Sequence, residues 1–438
     1  MTNCDTQLDT IYALSSGTLP AGVAVVRVSG PSAFTVLELL TGTPPGEPRL
    51  ASLRTIRNRA GLILDRALTL TFPSPHSFTG EDIVELQLHG SRAVVNAVLR
   101  EIGLIEQCRL AEAGEFSRRA FENGRLDLVE AEGLAELIAA ETEMQRRLAI
   151  EQSFGGQSDL YQDWARRLTF VRAMIEAELD FADEEDAAGA ADTSVLSDIE
   201  TIAGELEQHV VSAKTGEIIR GGYKIAIVGP PNAGKSSLIN RLAQREVAIV
   251  TDIAGTTRDV LQVDLDIEGY LVRVFDTAGL RNTDDVVERE GVRRANEMIA
   301  QADLVLQLSE IGSRDDHLDL IEGEVLHIGT KSDLGKPHTQ RYDVLISTKS
   351  GDGLNELRSH ILSRIRDVWS GSAVPTRERQ IELLREASDS VNAALNAVEL
   401  ELRAEHLRIA AASLGRITGH VDVEQLLDVI FSQFCIGK

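Results

Sequence analysis

Residues 229–236 read Gly-Pro-Pro-Asn-Ala-Gly-Lys-Ser, which is the spacing of a phosphate-binding loop. The loop follows the strand-like run 223–228 and precedes the helix-like run 237–242. In that context the loop N–H groups surround a β-phosphate at a helix N-terminus, Lys235 reaches the β- and γ-phosphate oxygens, and Ser236 binds Mg²⁺. The sequence therefore predicts an α/β domain that binds a nucleoside triphosphate with magnesium.

A second motif selects the base. The apolar run 325–329 predicts a strand, and Thr330-Lys-Ser-Asp333 follows at its carboxyl end. The Asp333 carboxylate can accept hydrogen bonds from N1–H and the 2-amino group of guanine, donors that adenine does not offer. GTP is therefore the predicted ligand, although Thr330 stands where this motif usually has Asn. Ser347-Thr-Lys349, after a further strand, fits the loop that closes over the guanine.

Two switch loops are expected between the phosphate-binding loop and the base-selecting motif. The run 272–275 ends in Asp276-Thr-Ala-Gly279, an Asp-x-x-Gly pattern whose Asp holds Mg²⁺ through water and whose Gly meets the γ-phosphate. Upstream, residues 251–259 supply a hydroxyl, with Thr257 the best placed, that completes the Mg²⁺ shell only while the γ-phosphate is present. Their order and spacing predict a P-loop GTPase domain.

Leu280 follows Gly279, at a position where many GTPases have a Gln that orients the attacking water. A leucine side chain cannot orient water. The same loop offers carboxylates instead, at Asp284, Asp285 and Glu288, and their spacing alone leaves the choice open.

The net charge of −25, from 44 basic and 69 acidic residues among 438, argues against broad nucleic-acid coating because phosphate repels such a chain. Any RNA contact should be local or shared with a partner. Three cysteines without paired spacing, Cys4, Cys108 and Cys435, an N-terminus without a signal pattern and the lack of a long apolar run predict a cytoplasmic protein with no membrane span.

Length and patterning predict a multidomain chain. Residues 1–121 read as an α+β domain, with a strand in 22–30, a helix from Pro31 toward Leu40, and further strands near 51–57, 59–72 and 82–88. Residues 122–218 and 370–438 show helical spacing, and 219–369 hold the GTPase motifs. The expected architecture is an α-helical bundle interrupted by an inserted α/β GTPase domain, with both halves of the bundle packed together.

The whole chain resembles the tRNA modification GTPase family called MnmE or TrmE. Three signatures support the resemblance: Asp9-Thr-Ile-Tyr-Ala-Leu-Ser with 22–30, the run 75–87 with Gly114-Glu-Phe-Ser-Arg-Arg-Ala-Phe121, and the terminal Phe434-Cys-Ile-Gly-Lys438. The resemblance implies a homodimer joined by folate-binding domains at 1–121. It also implies a flavoprotein partner, MnmG, in a heterotetramer that installs a carboxymethylaminomethyl-type group at C5 of the wobble uridine of certain tRNAs.

The same resemblance implies roles for individual residues. The carbon donor, 5-formyl- or methylene-tetrahydrofolate, would contact Arg27, Glu85, Arg125 and Lys438, and Arg125 stands where the family more often has Lys. Glu288 would orient water. A K⁺ ion held by Asn232, Thr251, Ile253 and Thr256 would stimulate hydrolysis, and Cys435 is a possible functional thiol. The expected GTP contacts are Asn232, Ala233, Gly234, Lys235, Ser236, Ser237, Thr251, Asp252, Ile253, Ala254, Gly255, Thr256, Thr257, Asp276, Thr277, Ala278, Gly279, Thr330, Lys331, Ser332, Asp333, Ser347, Thr348 and Lys349.

Two other functions share the nucleotide motifs. A regulatory GTPase that binds the ribosome or RNA would lack folate binding and would usually carry a Lys/Arg-rich RNA-binding module. A scaffold whose GTPase only controls the shape of a dimer would also lack modification chemistry. Folate binding separates both from the modification enzyme.

Overall fold

The computed structural model describes residues 9–180, 194–248, 261–276, 297–312, 323–335, 342–368, 374–421, 424–432, 434 and 437. The chain divides into two compact units. The first contains Met1–Ala135 and Gly415–Lys438, and the second contains Glu136–Leu414. Among the helices described, none combines the length and the apolar character that crossing a membrane requires.

A six-stranded sheet forms the centre of the first unit, in the order β3-β4-β5-β2-β1-β6. Neighbouring strands are antiparallel except β1 and β6, which are parallel. The strands are β1 Thr10–Leu14, β2 Val23–Ser29, β3 Ser52–Arg57, β4 Ile63–Phe72, β5 Ile83–His89 and β6 Cys108–Leu110.

Two helices, α1 Ala33–Thr41 and α2 Arg92–Gly103, cover one face of this sheet. Val26, Val28 and Leu86 point into that core and are fully buried. Because successive side chains of a strand point to opposite faces, Arg27 and Glu85 lie on the other face. The alternation of apolar and polar residues in β2 and β5 thus separates a structural face from a face that carries charge.

Three further helices complete the first unit: α3 Glu115–Glu122, α4 Leu128–Ala139, whose last residues belong to the second unit, and α12 Glu424–Ser432. Their shared core includes Leu128, Phe431 and Phe434. The final described residue, Gly437, has a φ of +95°, and a Cβ there would lie 2.2 Å from the carbonyl oxygen of Leu14. Only glycine fits so close to β1, so Gly437 lies against this sheet.

The second unit contains long amphipathic helices. They are α5 Glu143–Ser153, α6 Gly156–Asp180, α7 Ser194–Gly221, α10 Glu378–Asn396 and α11 Leu400–Thr418. Between α6 and α7, the Tyr161 hydroxyl lies 2.9 Å from His209 Nε2, and the Trp164 ring meets the His209 ring edge-on at 5.4 Å. Gln157 Nε2 donates to the Tyr161 hydroxyl oxygen at 2.6 Å.

The same unit holds a seven-stranded sheet in the order β13-β12-β11-β7-β10-β9-β8. Strands from β13 to β10 in this order are parallel, and β9 and β8 add antiparallel pairs. The elements are β7 Tyr223–Val228, α8 Lys235–Arg245, β8 Val247–Ala248, β9 Leu261–Ile267, β10 Tyr270–Asp276, β11 Leu304–Glu310, β12 Val325–Thr330, β13 Val344–Leu345 and α9 Leu354–Val368.

The segment that contains this sheet begins after α7 and ends before α10. One carboxylate contacts the chain at both ends of the segment. Glu136 Oε1 lies 3.2 Å from Arg220 Nε and 3.2 Å from Arg377 Nε. The Thr376 hydroxyl donates to the same carboxylate, and Arg220 Nη1 donates to the Thr376 carbonyl oxygen at 3.3 Å. The two ends of the sheet-containing segment are therefore held side by side.

Most predicted elements are confirmed. The predicted strands at 22–30, 51–57, 59–72 and 82–88 correspond to β2, β3, β4 and β5, and the described part of 122–218 is helical. Five strands, β1, β6, β8, β9 and β11, were not predicted. The domain boundaries predicted after residues 121, 218 and 369 stay a prediction.

Because His209 is buried between α6 and α7, we expect acid to lower the free energy of unfolding of the second unit. Burial lowers the pKa of His209 from 6.5 to about 4, so the unfolded chain binds a proton that the folded chain does not bind between those values. Stability contributed by neutral His209 is complete above about pH 6.5 and falls as the pH drops toward 4, by about 3 kcal/mol in all.

We expect urea unfolding followed by Trp164 fluorescence, in a Trp369→Phe background, to show a lower midpoint at about pH 5 than at about pH 7.5. His209→Gln removes the titrating group and should reduce that difference. An unchanged pH dependence in the variant contradicts the assignment.

Candidate functional site

The predicted phosphate loop lies between β7 and α8. Asn232 has a φ of +65°, and Gly234, with a φ of +93°, precedes the first residue of α8. Lys235 is buried, and its Nζ donates to the carbonyl oxygens of Gly229 at 2.7 Å and Pro230 at 2.9 Å. The ammonium group therefore lies over the loop, at the positive end of a helix where backbone N–H groups favour an anion.

Two oxygen-bearing side chains meet beside this loop. Ser236, in the first turn of α8, donates from Oγ to Asp276 Oδ2 at 3.2 Å. Asp276 ends β10, which is parallel to β7, and it is only 1% exposed. A hydroxyl and a carboxylate this close are the donors that Mg²⁺ prefers, so the described part of the predicted magnesium site fits the ion.

The predicted base loop follows β12. Lys331 has a φ of +61° and its Nζ lies 2.5 Å from Glu310 Oε2, at the end of β11. The exposed Asp333 accepts a hydrogen bond at 2.8 Å from Oγ of the buried Ser347. Ser332 N–H also donates to the Ile346 carbonyl oxygen at 3.1 Å. The segment that follows β13 therefore fixes the carboxylate that is expected to read guanine.

Thr330, the departure from the usual Asn, is buried and its Oγ1 donates to the Ser309 carbonyl oxygen at 3.2 Å. Its hydroxyl thus joins β12 to β11. Of the remaining expected contacts, Ala233 is buried, Thr348 is half-buried, and Ser237 and Lys349 are exposed near the two loops.

Several predicted residues fall outside the described residues. They are Thr251, Asp252, Ile253, Ala254, Gly255, Thr256, Thr257, Thr277, Ala278, Gly279, Leu280, Asp284, Asp285, Glu288, Cys435 and Lys438.

Two of the predicted folate contacts form a pair on the open face of the N-terminal sheet. Arg27 and Glu85 are direct cross-strand partners of β2 and β5. Arg27 donates to Glu85 Oε1 from Nε at 3.0 Å and from Nη2 at 2.9 Å, and each side chain is about one-fifth exposed, at 20% and 19%. Both contacts fall on one carboxylate oxygen. The pair therefore presents Nη1 as a donor and Oε2 as an acceptor.

Sequence analysis missed two aromatic residues beside this pair. The Arg27 guanidinium carbon lies 5.2 Å from the ring centre of Phe78 and 5.7 Å from that of Phe116. Cation–π contacts of this kind restrain an arginine whose charge is partly removed from water. Both phenylalanines occur in the signature segments, but their spacing in the sequence did not indicate a shared contact.

A buried ionic cluster holds these rings in place. Arg119, in α3, is 6% exposed and donates to Glu81, to Glu115 at 3.1 Å and to Asp9 at 2.7 Å. Ser29 Oγ donates to Glu81 Oε2 at 2.7 Å, which joins the loop after Phe78 to β2. The cluster thereby fixes α3, which carries Phe116, and the loop that carries Phe78.

Charge pairing also sets the protonation states in the cluster. Burial raises the pKa of Glu115, but hydrogen bonds from Arg109 and from the Glu112 N–H, together with the charges of Arg109 and Arg119, hold the pKa below its usual value. For Asp9, burial also raises the pKa, and the hydrogen bonds and charges of Arg109 and Arg119 together lower it below its usual value. Both carboxyls are therefore anionic at neutral pH.

The third described folate candidate is Arg125, which follows α3. Arg125 is exposed, and its side-chain stem would contact a Cβ on Gly80 at 3.3 Å. It borders the loop that contains Phe78. Gly437, next to the predicted Lys438, lies against Leu14 of the same sheet.

Comparisons with known proteins show the family to which the sequence belongs. A family model described as "MnmE helical domain" matches residues 128–435, and one described as "GTP-binding protein TrmE N-terminus" matches residues 10–125. The G domain of the T. maritima FeoB iron transporter aligns with 32% of this chain and 97% of its own, at 26% identity, but its TM-score of 0.26 is too low to support an argument.

Two full-length relatives give the sharper result. A Sinorhizobium medicae protein named "tRNA modification GTPase MnmE" is 58% identical over 438 residues, which is 98% of this chain and 99% of the relative. A Rhizobium meliloti protein of the same name is 57% identical over 436 residues, again 98% of this chain and 99% of the relative. The resemblance drawn from the three signatures is therefore confirmed, and the chain belongs to the MnmE (TrmE) family of tRNA modification GTPases.

Proposed function

We propose that this chain hydrolyses GTP and, with the flavoprotein MnmG, installs a carboxymethylaminomethyl-type group at C5 of the wobble uridine of certain tRNAs. The carbon would come from a tetrahydrofolate derivative. One observation supports the GTPase part of the proposal. At one edge of the seven-stranded sheet, Lys235, Ser236 and Asp276 lie beside the phosphate loop, and Ser347 donates a hydrogen bond to Asp333. The relatives' printed name supports tRNA as the substrate.

Hydrolysis needs a group that orients water, and we assign that role to Glu288. The family resemblance points to Glu288, and the residues themselves add that Leu280 offers no polar atom while the same loop carries carboxylates that can orient water. Within the described site, Ser236 and Asp276 would hold Mg²⁺, and Lys235 would bind the phosphate oxygens. The bound magnesium supplies positive charge that stabilises the transferring phosphoryl group.

We extend the proposal to K⁺ stimulation. Asn232 is the one expected K⁺ contact among the described residues, and its left-handed backbone turns the loop beside the helix N-terminus. An amide oxygen is a suitable ligand for a hard monovalent cation. Such a cation would supply charge where other systems insert an arginine.

The Arg27–Glu85 pair supports the carbon-donor site. A pterin ring has an edge that both donates and accepts hydrogen bonds, and Nη1 of Arg27 with Oε2 of Glu85 forms a matching edge. The flanking rings of Phe78 and Phe116 restrain that edge from moving. The pair would orient the ring, while Arg125 and Lys438 would supply positive charge for the carboxylates of the glutamate tail.

The resemblance also underlies the remaining parts of the proposal. We infer a cytoplasmic homodimer joined through residues 1–121 and a heterotetramer with MnmG. The domains proposed are 1–121 for folate binding and dimerisation, 219–369 for GTP, and 122–218 with 370–438 for the helical body.

Potassium should raise GTP turnover. We expect a rate roughly tenfold or more higher in about 0.1 M KCl than in the same concentration of NaCl, because the cation offsets charge that develops on the phosphates. Phosphate release measures the rate. Asn232→Ala should lose the preference for potassium. Equal rates in the two salts for the unmodified chain would remove the cation from the mechanism.

Folate binding should depend on the charge of Glu85. Calorimetric titration of the full chain with 5-formyltetrahydrofolate should show binding, and Glu85→Gln should weaken it about tenfold or more because a charge-assisted hydrogen bond is lost. Glu122→Gln, an exposed carboxylate of the same unit, is the matched control and should bind normally. A chain that binds no folate derivative favours the regulatory GTPase or the scaffold.

The proposed function as a whole is tested by mass spectrometry of wobble uridine in tRNA from cells that carry Glu288→Ala. We expect modification to fall severely, since hydrolysis drives the cycle. Asp284→Ala removes a neighbouring carboxylate in the same segment and should leave modification near normal. Normal modification with Glu288→Ala means that the hydrolysis step is dispensable.

A further inference from the structure

The hairpin of β3 and β4 concentrates positive charge in an acidic chain. Residues 49–70 contain five arginines and a single carboxylate, although the whole chain has a net charge of −25. We call residues 49–70 the arginine hairpin. Its arginines are Arg49, Arg54, Arg57, Arg59 and Arg66.

None of these five guanidinium groups forms an ion pair within the described ranges. Four of them donate to backbone carbonyl oxygens instead. Arg49 donates to His76 at 2.6 Å, Arg57 to Gly61 at 3.0 Å and Arg59 to Leu104. Arg54 donates to the carbonyl oxygens of Thr43 and Pro44. These contacts orient the side chains but leave their charge unbalanced.

The single carboxylate of the hairpin is engaged elsewhere. Asp65 is 8% exposed, and its oxygens accept from His89 N–H at 2.8 Å and lie 2.7 Å from His89 Nδ1. Glu101 accepts from the backbone N–H of Arg59 at 3.2 Å. In the part of the chain that the structure describes, neither of these two carboxylates pairs with an arginine side chain.

Exposed arginines on the helices of the second unit behave differently. Arg146 pairs with Glu143 at 2.8 Å, Arg166 with Asp163 at 3.2 Å, and Arg408 with Glu405 at 2.8 Å. An acidic chain thus offers partners to many of its surface arginines, whereas this hairpin gathers five arginines that form no ion pair with the residues that the structure describes. Such a concentration of charge suits a partner other than this chain.

The position of the hairpin suits an elongated polyanion. β3 is the outermost strand of its sheet, and its six residues extend about 20 Å. On β3 itself, Arg54 and Arg57 are positive side chains that discourage pairing with another sheet. Arg49, Arg59 and Arg66 lie outside this edge strand, so that purpose does not account for them.

We propose that the arginine hairpin contacts the phosphate backbone of the tRNA substrate. This inference rests on the proposed function. Guanidinium groups bind phosphate through two parallel hydrogen bonds, and each contact releases counterions from the RNA. The rest of the chain is acidic and repels RNA, so a contact with tRNA has to be local. The hairpin provides such a local contact.

The test compares two variants that lose the same charge. Arg57→Gln, Arg59→Gln and Arg66→Gln together remove three exposed arginines of the hairpin. Arg146→Gln, Arg166→Gln and Arg408→Gln remove three exposed, ion-paired arginines of the helices. Binding of unmodified tRNA to the full chain, alone and with MnmG, is measured by filter binding over a series of salt concentrations, with GTP affinity and light-scattering mass as controls of folding and assembly.

We expect the hairpin variant to bind tRNA about tenfold or more weakly, with a salt slope lower by about two to three, since each phosphate contact contributes roughly one to the slope. The helix variant should bind as the unmodified chain does, and both should bind GTP normally.

Three outcomes overturn the inference. Equal tRNA binding by the hairpin variant and the unmodified chain removes the hairpin from the RNA contact, and equal weakening in both variants shows a general charge effect. A changed light-scattering mass of the hairpin variant assigns the surface to contacts between copies of this chain. An unmodified chain that binds no tRNA, even with MnmG, contradicts the proposed function itself.

Discussion

The nucleotide site depends on five parallel strands that end at one edge of a sheet. β7 places the phosphate loop there, β10 delivers Asp276, and β12 and β13 deliver the loops that contain Asp333 and Ser347. The strands are apolar because the sheet is buried on both faces, and side chains that reach water occur mainly where the strands end. A register slip of one residue would turn Asp276 to the opposite face, away from Ser236.

The sequence predicted the parts of this site that depend on local patterns. Glycine spacing, a following helix and polar residues after apolar runs identified the phosphate loop, Asp276 and Asp333. β1, β6 and β8 were missed because they have five, three and two residues, too few for a periodic signal. β9 and β11 have seven residues each, but neither strand precedes a nucleotide-binding motif in the sequence. The Arg119 cluster was missed for another reason, since its partner Asp9 lies 110 residues away and only the tertiary fold brings them together.

The first unit uses arginine in two opposite ways. Arg119 is buried among carboxylates, so that removal of one member would leave an uncompensated charge in a poorly solvated place. Among the described residues, the hairpin arginines have no carboxylate partner, and four of the five are exposed. Burial with full pairing lets Arg119 position Phe116 and Phe78 beside Arg27, whereas exposure without ion pairing leaves the hairpin charges accessible to another molecule.

The Glu136 contacts have a consequence for how such a chain could arise. Arg220 and Arg377, which flank the nucleotide-binding segment, meet at one carboxylate, so the two ends of that segment lie beside each other. A segment with adjacent ends can be inserted into a host loop, or removed and the gap closed by a short linker, without displacing the host helices. A short linker between the end of α7 and the start of α10 would therefore span the same gap that Glu136 now closes.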